Sequence, residues 1–568
     1  MRAFVRLPIL IRTSYTNPRG RLGLVAATPQ PVHAVRRAFV NLPGQQEDES
    51  EPISDSKQSE SAWRSTLYKM FESSMTTLAS VAVLGLVGYS YTVYYKRHVL
   101  QKMENAFNPG DPVLDMAEMG PEKVHLADDD TDRSHWIDRA EQKKLDEIIA
   151  GKVRGQYYLL VGEKGTGKSS MLIDAMAKID GEGVAMFEAH ADPEIFRVRL
   201  GKALDFEYHE DNIGALFSIR GPRDASALLD IERAFNKLEK VALRRRARIG
   251  RPLILIINSA HLIRDDEDGR DLIELIQQRA EQWAASNLAT IIMNSDDYWV
   301  YERLKGYGTR LHVMPVLDLP KDKSMIALQN YRAKYFNEES DPEILAKVYD
   351  KVGGRLAFLN RVAKSHDMLQ TCEHICRQEK TWFLNQCWIL GESMDDDVMD
   401  QQKYASAAMV LAKALVDKER DMESLYHPDK GHILPQVPLH EARQIMTRAD
   451  FIKSYDAINV FTIDSNANVR ADSVPMMNAF REICSQEGFE QFLNDTLDRI
   501  SAIESLGRTR ELTIKDLWNK GRYNITVSDK KGELQKMIGF EVQPQEEESD
   551  DDKSAKNKKD DDNDNDKA

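Results

Sequence analysis

Cysteine is scarce in this sequence, and its scarcity, together with the balance of the other residues, excludes several classes of protein. Only four cysteines occur in 568 residues, so the chain cannot be a small secreted scaffold held by disulfides. Hydrophobic residues make up 42% and charged residues 30%, which excludes a multi-span transporter, a collagen-like fibre and a wholly disordered chain. The net charge of −15 argues against non-specific coating of nucleic acid. At roughly 150 residues per domain, we expect three or four folded units.

Acidic residues are absent from the N-terminus, where the first is Glu47 and seven arginines precede it. An Arg-rich, acid-free N-terminus is typical of a mitochondrial transit peptide, which we assign to residues 1–37. The alternative is a disordered basic tail that binds acidic surfaces. Residues 38–72 turn acidic and polar, and we expect them to form a disordered spacer.

Charge is also absent from the 23 residues between Ser73 and Tyr95. As a helix this segment would measure roughly 34 Å, which is enough to cross about 30 Å of hydrocarbon. It predicts a single transmembrane helix, for which the alternative is a buried core helix. With a transit peptide upstream, the membrane would be the mitochondrial inner membrane. Lys96 and Arg97 favour a matrix-facing C-terminal part, whereas stop-transfer insertion would leave it in the intermembrane space, and both stay open.

A glycine-rich loop supplies the most specific chemical signal. It consists of Gly162, Glu163, Lys164, Gly165, Thr166, Gly167, Lys168 and Ser169, followed by Ser170. An apolar run precedes it and a helical pattern follows, as the phosphate-binding motif G-x-x-x-x-G-K-[ST] requires. The glycines let backbone N–H groups surround phosphate oxygens at a helix N-terminus. Lys168 is expected to reach the β- and γ-phosphates and Ser169 to bind Mg²⁺, which predicts ATP and Mg²⁺ as cofactors.

Apolar runs that alternate with helical patterns predict the fold. The runs lie at 157–161, 184–189, 253–257 and 289–293. This order favours an α/β fold with a parallel sheet of P-loop NTPase type. We assign the domains as follows: a linker at 96–133, the ATPase core at 134–318, a helical lid at 319–400, an α-rich winged-helix and helical region at 401–545, and an acidic disordered tail at 546–568.

The winged helix is predicted from three helical stretches and two β-like segments. The helices lie at 403–418, 440–447 and 449–458, and the β-like segments at 460–463 and 469–471. Its recognition stretch carries only Arg448 and Lys453 as cations, against two aspartates. Since surfaces that bind phosphate backbones show clustered cations, protein docking or sensing of the nucleotide state is favoured over nucleic-acid binding.

These motifs together resemble the AAA+/STAND superclass of P-loop ATPases. Arg139 and Glu141 resemble its R-x-E box, Asn258 stands at the Walker B position, Asn294 at sensor 1 and Arg355 in a Gly-Gly-Arg sensor 2. The resemblance implies that Arg139 and Arg355 contact nucleotide and that Asn294 acts in catalysis. The presequence, membrane span and winged helix resemble fungal mitochondrial ATPases related to the mitochondrial escape protein family. No RNA-recognition motif lies upstream, which departs from the escape proteins.

The Walker B position departs from the superclass in a chemically important way. Asn258 stands where an aspartate should hold Mg²⁺, and Ser259 where a catalytic acid should orient water. An amide is a weaker ligand than a carboxylate for Mg²⁺, and a hydroxyl cannot act as a base at neutral pH. We therefore expect ATP to be bound, with Asn258 as a weak metal ligand, and to be hydrolysed slowly. The acids at 265–268 are interpreted as a solvated loop.

Two further groups of residues leave alternatives open. In this superclass, arginines after sensor 1 often act on the γ-phosphate of a neighbour, which Arg310 or Arg303 could do in a homo-oligomer; the alternative is a helix cap or a surface pair. Cysteine and histidine cluster at Cys372, His374, Cys376 and Cys387. Their spacing is not that of a zinc site, so buried thiols are expected.

The sequence as a whole favours a nucleotide-gated scaffold or assembly factor with protein partners at the mitochondrial inner membrane. An active ATPase that remodels proteins there is the main alternative. A nucleoid- or RNA-linked factor is a further one, supported by the basic stretch at 237–251, although nucleic acid is not the favoured partner. A proteolytic AAA enzyme is excluded, because the sequence has no H-E-x-x-H motif.

Overall fold

The computed structural model describes residues 58–118, 136–137, 139–208, 226–338, 340–389, 399–428, 431–508, 521–528 and 534–541. The predicted transit peptide and acidic tail lie outside the described residues. The described helices are α1 (Gln58–Asn105), α2 (Pro112–Glu118), α3 (Ala140–Ile149), α4 (Lys168–Ala177), α5 (Pro193–Ala203), α6 (Ala227–Ile249), α7 (Glu267–Ser286), α8 (Tyr298–Tyr307), α9 (Lys321–Phe336), α10 (Pro342–Val352), α11 (Leu356–Ala363), α12 (Met368–Cys387), α13 (Met399–Arg420), α14 (Leu439–Met446), α15 (Ile452–Ala457), α16 (Val474–Cys484) and α17 (Phe489–Arg508). The described strands are β1 (Tyr157–Val161), β2 (Val184–Glu188), β3 (Leu253–Asn258), β4 (Ala289–Ser295), β5 (Leu311–Pro315), β6 (Tyr426–His427), β7 (Gly431–His432), β8 (Gln436–Pro438), β9 (Phe461–Ile463), β10 (Asn468–Ala471), β11 (Arg522–Ser528) and β12 (Leu534–Glu541).

A five-stranded parallel sheet forms the ATPase core, in the order β2-β3-β4-β1-β5. The predicted α/β fold is therefore confirmed. Successive residues of a strand point to opposite faces of the sheet. Tyr158 and Leu160 pack with α3 and α4 on one face, while Tyr157 and Leu159 pack with α6 and α7 on the other. Both faces are covered, which explains why the strands are continuous apolar runs rather than alternating ones.

The strand register brings the site residues to one edge of the sheet. Leu160 is paired with Asn294, and Val161, the last residue of β1, with Ser295. Glu188, the last residue of β2, is paired with Asn258. Because all these strands run in parallel, their carboxyl ends meet where the glycine-rich loop leaves β1.

The lid and the winged helix each have a core of their own. Helices α9 to α12 pack around residues that include Leu328, Val348 and Leu359. The winged helix contains a third strand, β8, which the sequence analysis missed and which pairs with β10. The C-terminal region predicted to be helical also contains an antiparallel hairpin, β11 with β12. Its alternation of β-branched and polar residues (RYNITVS) is typical of a strand and explains the difference.

Helix α1 begins and ends well outside the predicted span. Its residues 58–72 were predicted to be a spacer and residues 96–105 a linker, but both are helical. Between Trp63 and Asn105 it is long and apolar enough to cross a membrane, by length and composition. The prediction of a linker is wrong for residues 96–105, because apolar residues repeat there at helical spacing. Leu100 and Met103 of α1, and Phe107 just after the helix, are buried in the ATPase core. Helix α2 follows and buries Leu114 against the opposite face of the sheet.

We expect Phe107→Ala to destabilise the ATPase core by about 3–5 kcal/mol, because it removes a fully buried aromatic side chain and leaves a cavity. Urea unfolding of the detergent-solubilised full chain measures the effect. Gln101→Ala, at an exposed position in the last turns of α1, is the control and should stay within about 0.5 kcal/mol of wild type. Equal stability of the two variants would contradict the packing of this segment.

Candidate functional site

The glycine-rich loop has the backbone shape that an anion-binding loop needs. Gly165 and Gly167 adopt φ angles of +83° and +97°, which L side chains rarely adopt. A Cβ atom on Gly165 would also lie 2.7 Å from the Cβ atom of Ala357 in the lid. Helix α4 begins at Lys168 without a side-chain cap, so its first N–H groups are available to an anion. Lys164 and Ser170 are exposed at the rim of the loop.

The Lys168 side chain is buried and folds back onto its own loop. Its Nζ atom donates to the carbonyl oxygens of Gly162 and Glu163, each at 2.8 Å. It also forms a 2.8 Å ion pair with Asp296, directly after β4. A bound phosphate would therefore compete with the Asp296 carboxylate for this ammonium group.

Three neutral side chains meet beside Lys168, at the ends of β3, β4 and the loop. The Ser169 hydroxyl donates to Asn258 Oδ1 at 2.8 Å, and Asn294 Nδ2 donates to the same oxygen at 2.6 Å. The Asn294 Oδ1 atom is buried without a hydrogen-bond partner among the described residues. Mg²⁺ prefers oxygen ligands, so Ser169 and Asn258 fit a metal site, but they bring no negative charge to it.

No Walker B carboxylate lies at the end of β3 in the described structure, and Ser259 there takes a left-handed φ of +55°. The acid beside it is Glu188 of β2, whose Oε1 atom lies 3.5 Å from Ser259 Oγ. Glu188 is more than half exposed and also faces Arg199. Sequence analysis did not single it out, because it belongs to a strand that precedes Asn258 by about 70 positions and reaches it only through the sheet register.

Asp296 and Asp297 are site residues that the sequence analysis also missed. They directly follow β4, which ends at Ser295. Their position just after a buried apolar strand could have identified them as candidate site residues in the sequence. Burial and the charge of Asp296 raise the pKa of Asp297 to about 7, although Lys168 opposes the shift. His261 accepts a hydrogen bond from the Asp296 backbone at 3.2 Å through Nδ1. Burial and the nearby lysines lower the pKa of His261, despite the opposing charges of Asp296 and Glu188, so it is neutral at pH 7.

Two buried arginines lie beside the loop, and one of them binds it. Arg139 donates to the carbonyl oxygens of Thr166 at 2.9 Å and Leu317 at 3.0 Å. Arg355, at the start of the lid helix α11, is buried and paired with Asp318 and Asp472. Burial alone would lower the pKa of Arg355, but these two carboxylates raise it well above its ordinary value. In the structure, the guanidinium group of Arg355 therefore faces acids of the lid boundary and of the winged helix.

The winged helix contacts the loop and the start of α8, which follows sensor 1. Arg470 of β10 pairs with the buried Glu163 of the loop. Asp456 of α15 accepts a 2.8 Å hydrogen bond from the backbone N–H of Tyr298. Burial and the charge of Asp297 raise the pKa of Asp456, although its backbone hydrogen bonds oppose the shift. A cavity of about 370 Å³ lies between the wing and the loop and is bordered by Glu163, Asp296 and Arg470.

Other predicted residues lie elsewhere. Arg310 precedes β5 and donates to Gly155 at 3.5 Å, at the opposite edge of the sheet, so it cannot reach the loop of its own chain. Arg303 pairs with Asp265, and Asp266 caps α7, which places these acids outside the site. All four cysteines are free thiols, and no group of metal-binding side chains occurs among the described residues.

Comparison with protein families agrees with this arrangement. Residues 136–292 match the family model of the AAA ATPase domain, and residues 385–504 match that of the fungal AAA protein C-terminal winged helix domain. The chain carries an AAA ATPase domain followed by a fungal AAA winged helix. The AAA domain implies that nucleotide is bound together with a metal ion. A comparison with curated proteins returned no match.

Several solved structures resemble the chain at low identity. The Walker-type ATPase of Pyrococcus abyssi is 12% identical, with a TM-score of 0.40 over 63% of this chain and 99% of that one. Cdc6p of Pyrobaculum aerophilum is 11% identical, with a TM-score of 0.28 over 67% and 99%. AMPPCP-bound DnaA of Aquifex aeolicus is 12% identical, with a TM-score of 0.28 over 65% and 96%. At these TM-scores the likenesses carry no information on what this chain binds.

We expect Asp297→Asn to stabilise the protein increasingly as the pH rises from about 4 to about 7, and by a constant amount above that. The folded state holds the proton of Asp297 up to about pH 7, whereas the unfolded state releases it near 3.8, so folding costs more as the pH rises through this window. The asparagine side chain is neutral at every pH and avoids the cost, which is on the order of 2–4 kcal/mol.

Urea unfolding of the solubilised full chain between pH 4 and pH 8 measures this difference. Asp271→Asn, at an exposed position of α7, is the matched control and should give a small difference that does not change with pH. A pH-independent effect of Asp297→Asn would show that the Asp297 carboxyl is not held protonated.

Proposed function

We propose that this protein is a membrane-anchored, ATP-binding AAA+ switch of the mitochondrial inner membrane, and that its nucleotide state controls how the winged helix meets a protein partner. The mitochondrial location rests on the sequence of residues 1–37, and the anchor on the uncharged stretch of α1. A homo-oligomer would give Arg310 a role, because that arginine can act only on a neighbouring chain.

One observation carries the proposal: the cations expected to hold phosphate are paired with carboxylates, and one of those pairs involves the winged helix. Lys168 faces Asp296, and Arg355 faces Asp472, which directly follows β10. Arg470, two residues earlier, pairs with Glu163 in the loop. ATP in the adjoining cavity would compete for Lys168 and would lie against the Arg470–Glu163 pair, so the wing would sense whether nucleotide is bound.

The residues of the chain would share the work as follows. The loop N–H groups and Lys168 bind the phosphates, and Ser169 with Asn258 offers oxygen ligands to Mg²⁺. A Mg²⁺ ion bound with ATP would neutralise phosphate charge and polarise the terminal phosphoryl group. Asn294 holds Asn258 and Ser169 in place through its amide. Because no carboxylate stands at the Walker B position, activation of water is weak and the ATP-bound state is long-lived.

An active ATPase is the second candidate, and Asp296 favours it. This carboxylate lies beside Lys168 and His261, within the site, and could orient water in place of the missing Walker B acid once ATP has displaced it from Lys168. The two candidates share nucleotide binding and differ in turnover.

We expect Lys168→Ala to weaken ATP binding about 10- to 100-fold, because it removes the buried cation that contacts phosphate. Titration of the full chain in detergent with a fluorescent ATP analogue and Mg²⁺ measures the affinity. Lys164→Ala, at the exposed rim of the same loop, should change affinity less than about threefold. No binding by wild type at millimolar ATP would refute the proposed function. Rapid phosphate release that is lost in Lys168→Ala would instead favour the active ATPase.

We expect Mg²⁺-ATP to speed amide hydrogen exchange in the wing, residues 461–471, on the order of tenfold, because nucleotide would break the Arg470–Glu163 pair. Arg470→Gln should show the faster exchange without nucleotide. Lys413→Gln, which removes an exposed ion pair with Glu490 in the same domain, should exchange as wild type does. Tight ATP binding without any change in wing exchange would show that the winged helix does not sense the nucleotide.

A further inference from the structure

Five cations gather where the C-terminal end of α1 meets α6, and we call them the basic cluster: Lys96, Arg97, Lys237, Lys240 and Arg244. The three on α6 are spaced three and four residues apart and therefore share one face of that helix. Burial lowers the pKa of Lys237, and the charges of Lys240 on the same helix and of Lys96 on α1 lower it further. Arg97 and Arg244 line the same surface depression, of about 440 Å³.

The basic cluster differs from the cations around it in having no acidic partners. Arg248 pairs with Glu104, Lys102 with Asp205 and Glu207, and Arg251 with Glu182. By contrast, none of the five members forms an ion pair with a carboxylate of the described structure. Like charges held this close repel one another, and a bound anion would relieve the repulsion.

The position of the basic cluster indicates which anion it meets. Lys96 directly follows Tyr95, the last residue of the uncharged stretch of α1, and the apolar side chains of Leu84, Leu86 and Val87 in that stretch are 59–65% exposed. A few residues further on, Met103 is fully buried in the ATPase core. The burial of the end of α1 therefore holds the cluster at the level where an exposed apolar helix surface gives way to folded protein.

We propose that the basic cluster binds the anionic headgroups of the membrane that α1 crosses. The inference rests on the membrane anchoring in the proposed function and goes beyond it by naming the lipid class. In a bilayer around α1, the headgroups would lie at the level of Lys96. The three cations on α6 would then face headgroups next to those around α1. Cations at a membrane surface attract anionic lipid, each strengthening binding about fivefold. RNA phosphates carry the same negative charge as these headgroups. Binding of RNA, however, would not explain why the basic cluster lies next to the uncharged stretch of α1.

The test uses the full chain reconstituted into nanodiscs of phosphatidylcholine alone or with phosphatidylglycerol. An amine-reactive reagent, followed by mass spectrometry, gives the labelling rates of Lys237 and Lys240. We expect both rates to fall about fivefold or more with phosphatidylglycerol, because headgroups cover the amines and favour their protonated form. High salt should reverse much of this protection. Lys347, exposed on the lid helix α10, is the matched control and should label equally in both membranes.

Arg244→Gln should reduce the protection of Lys240 about fivefold, since it removes one cation of the basic cluster from an exposed site. Equal labelling of Lys237 and Lys240 in both membranes would overturn the proposal. Protection by added RNA in phosphatidylcholine nanodiscs, without protection by phosphatidylglycerol, would overturn it in favour of nucleic acid. Release of the chain from membranes by alkaline carbonate would also overturn it, because it would show that α1 does not span the bilayer. The nucleotide site is tested separately, by the ATP affinity in detergent.

Discussion

The site depends on one constraint, the parallel register that brings the carboxyl ends of β1, β3 and β4 to the same edge of the sheet. The loop that leaves β1 can adopt its phosphate-binding shape only over a rigid edge, and Asn258 and Asn294 reach Ser169 only because their strands end at the same level. Both faces of the sheet are covered by helices, so the edge cannot shift without disturbing two hydrophobic cores. The chemistry of the site is therefore fixed by backbone pairing before any side chain is considered.

Electrostatics at this edge differs from that expected of an ATPase with a complete Walker B motif. The acids lie directly after β4 and at the end of β2, and not at the end of β3. Asp296 now neutralises Lys168, and Asp297 is kept protonated near neutral pH by burial and by its neighbour. The protein's own carboxylates therefore occupy Lys168 and Arg355, the two cations expected to contact phosphate.

The winged helix takes part in the site and is not merely attached after it. Arg470, Asp472 and Asp456 connect it to the loop, the lid arginine and the residues after sensor 1. Each contact joins residues more than 100 positions apart, so buried polar groups connect this domain to the phosphate-binding loop and the lid. Such groups are costly to separate unless another partner replaces them.

The loop from Gly162 to Ser169, the apolar strands and the helices of the winged helix could be predicted from the sequence, because each depends on residues that are neighbours along the chain. The absence of acids at Asn258 and Ser259 could also be predicted, because these positions directly follow the apolar run at 253–257. Three features became visible only in the folded chain: Arg355 faces Asp472, Arg470 pairs with Glu163, and the end of α1 is buried in the ATPase core. These contacts form between segments that are distant along the chain. Neither the periodicity nor the spacing of residues predicts which charged side chains pair across such distances.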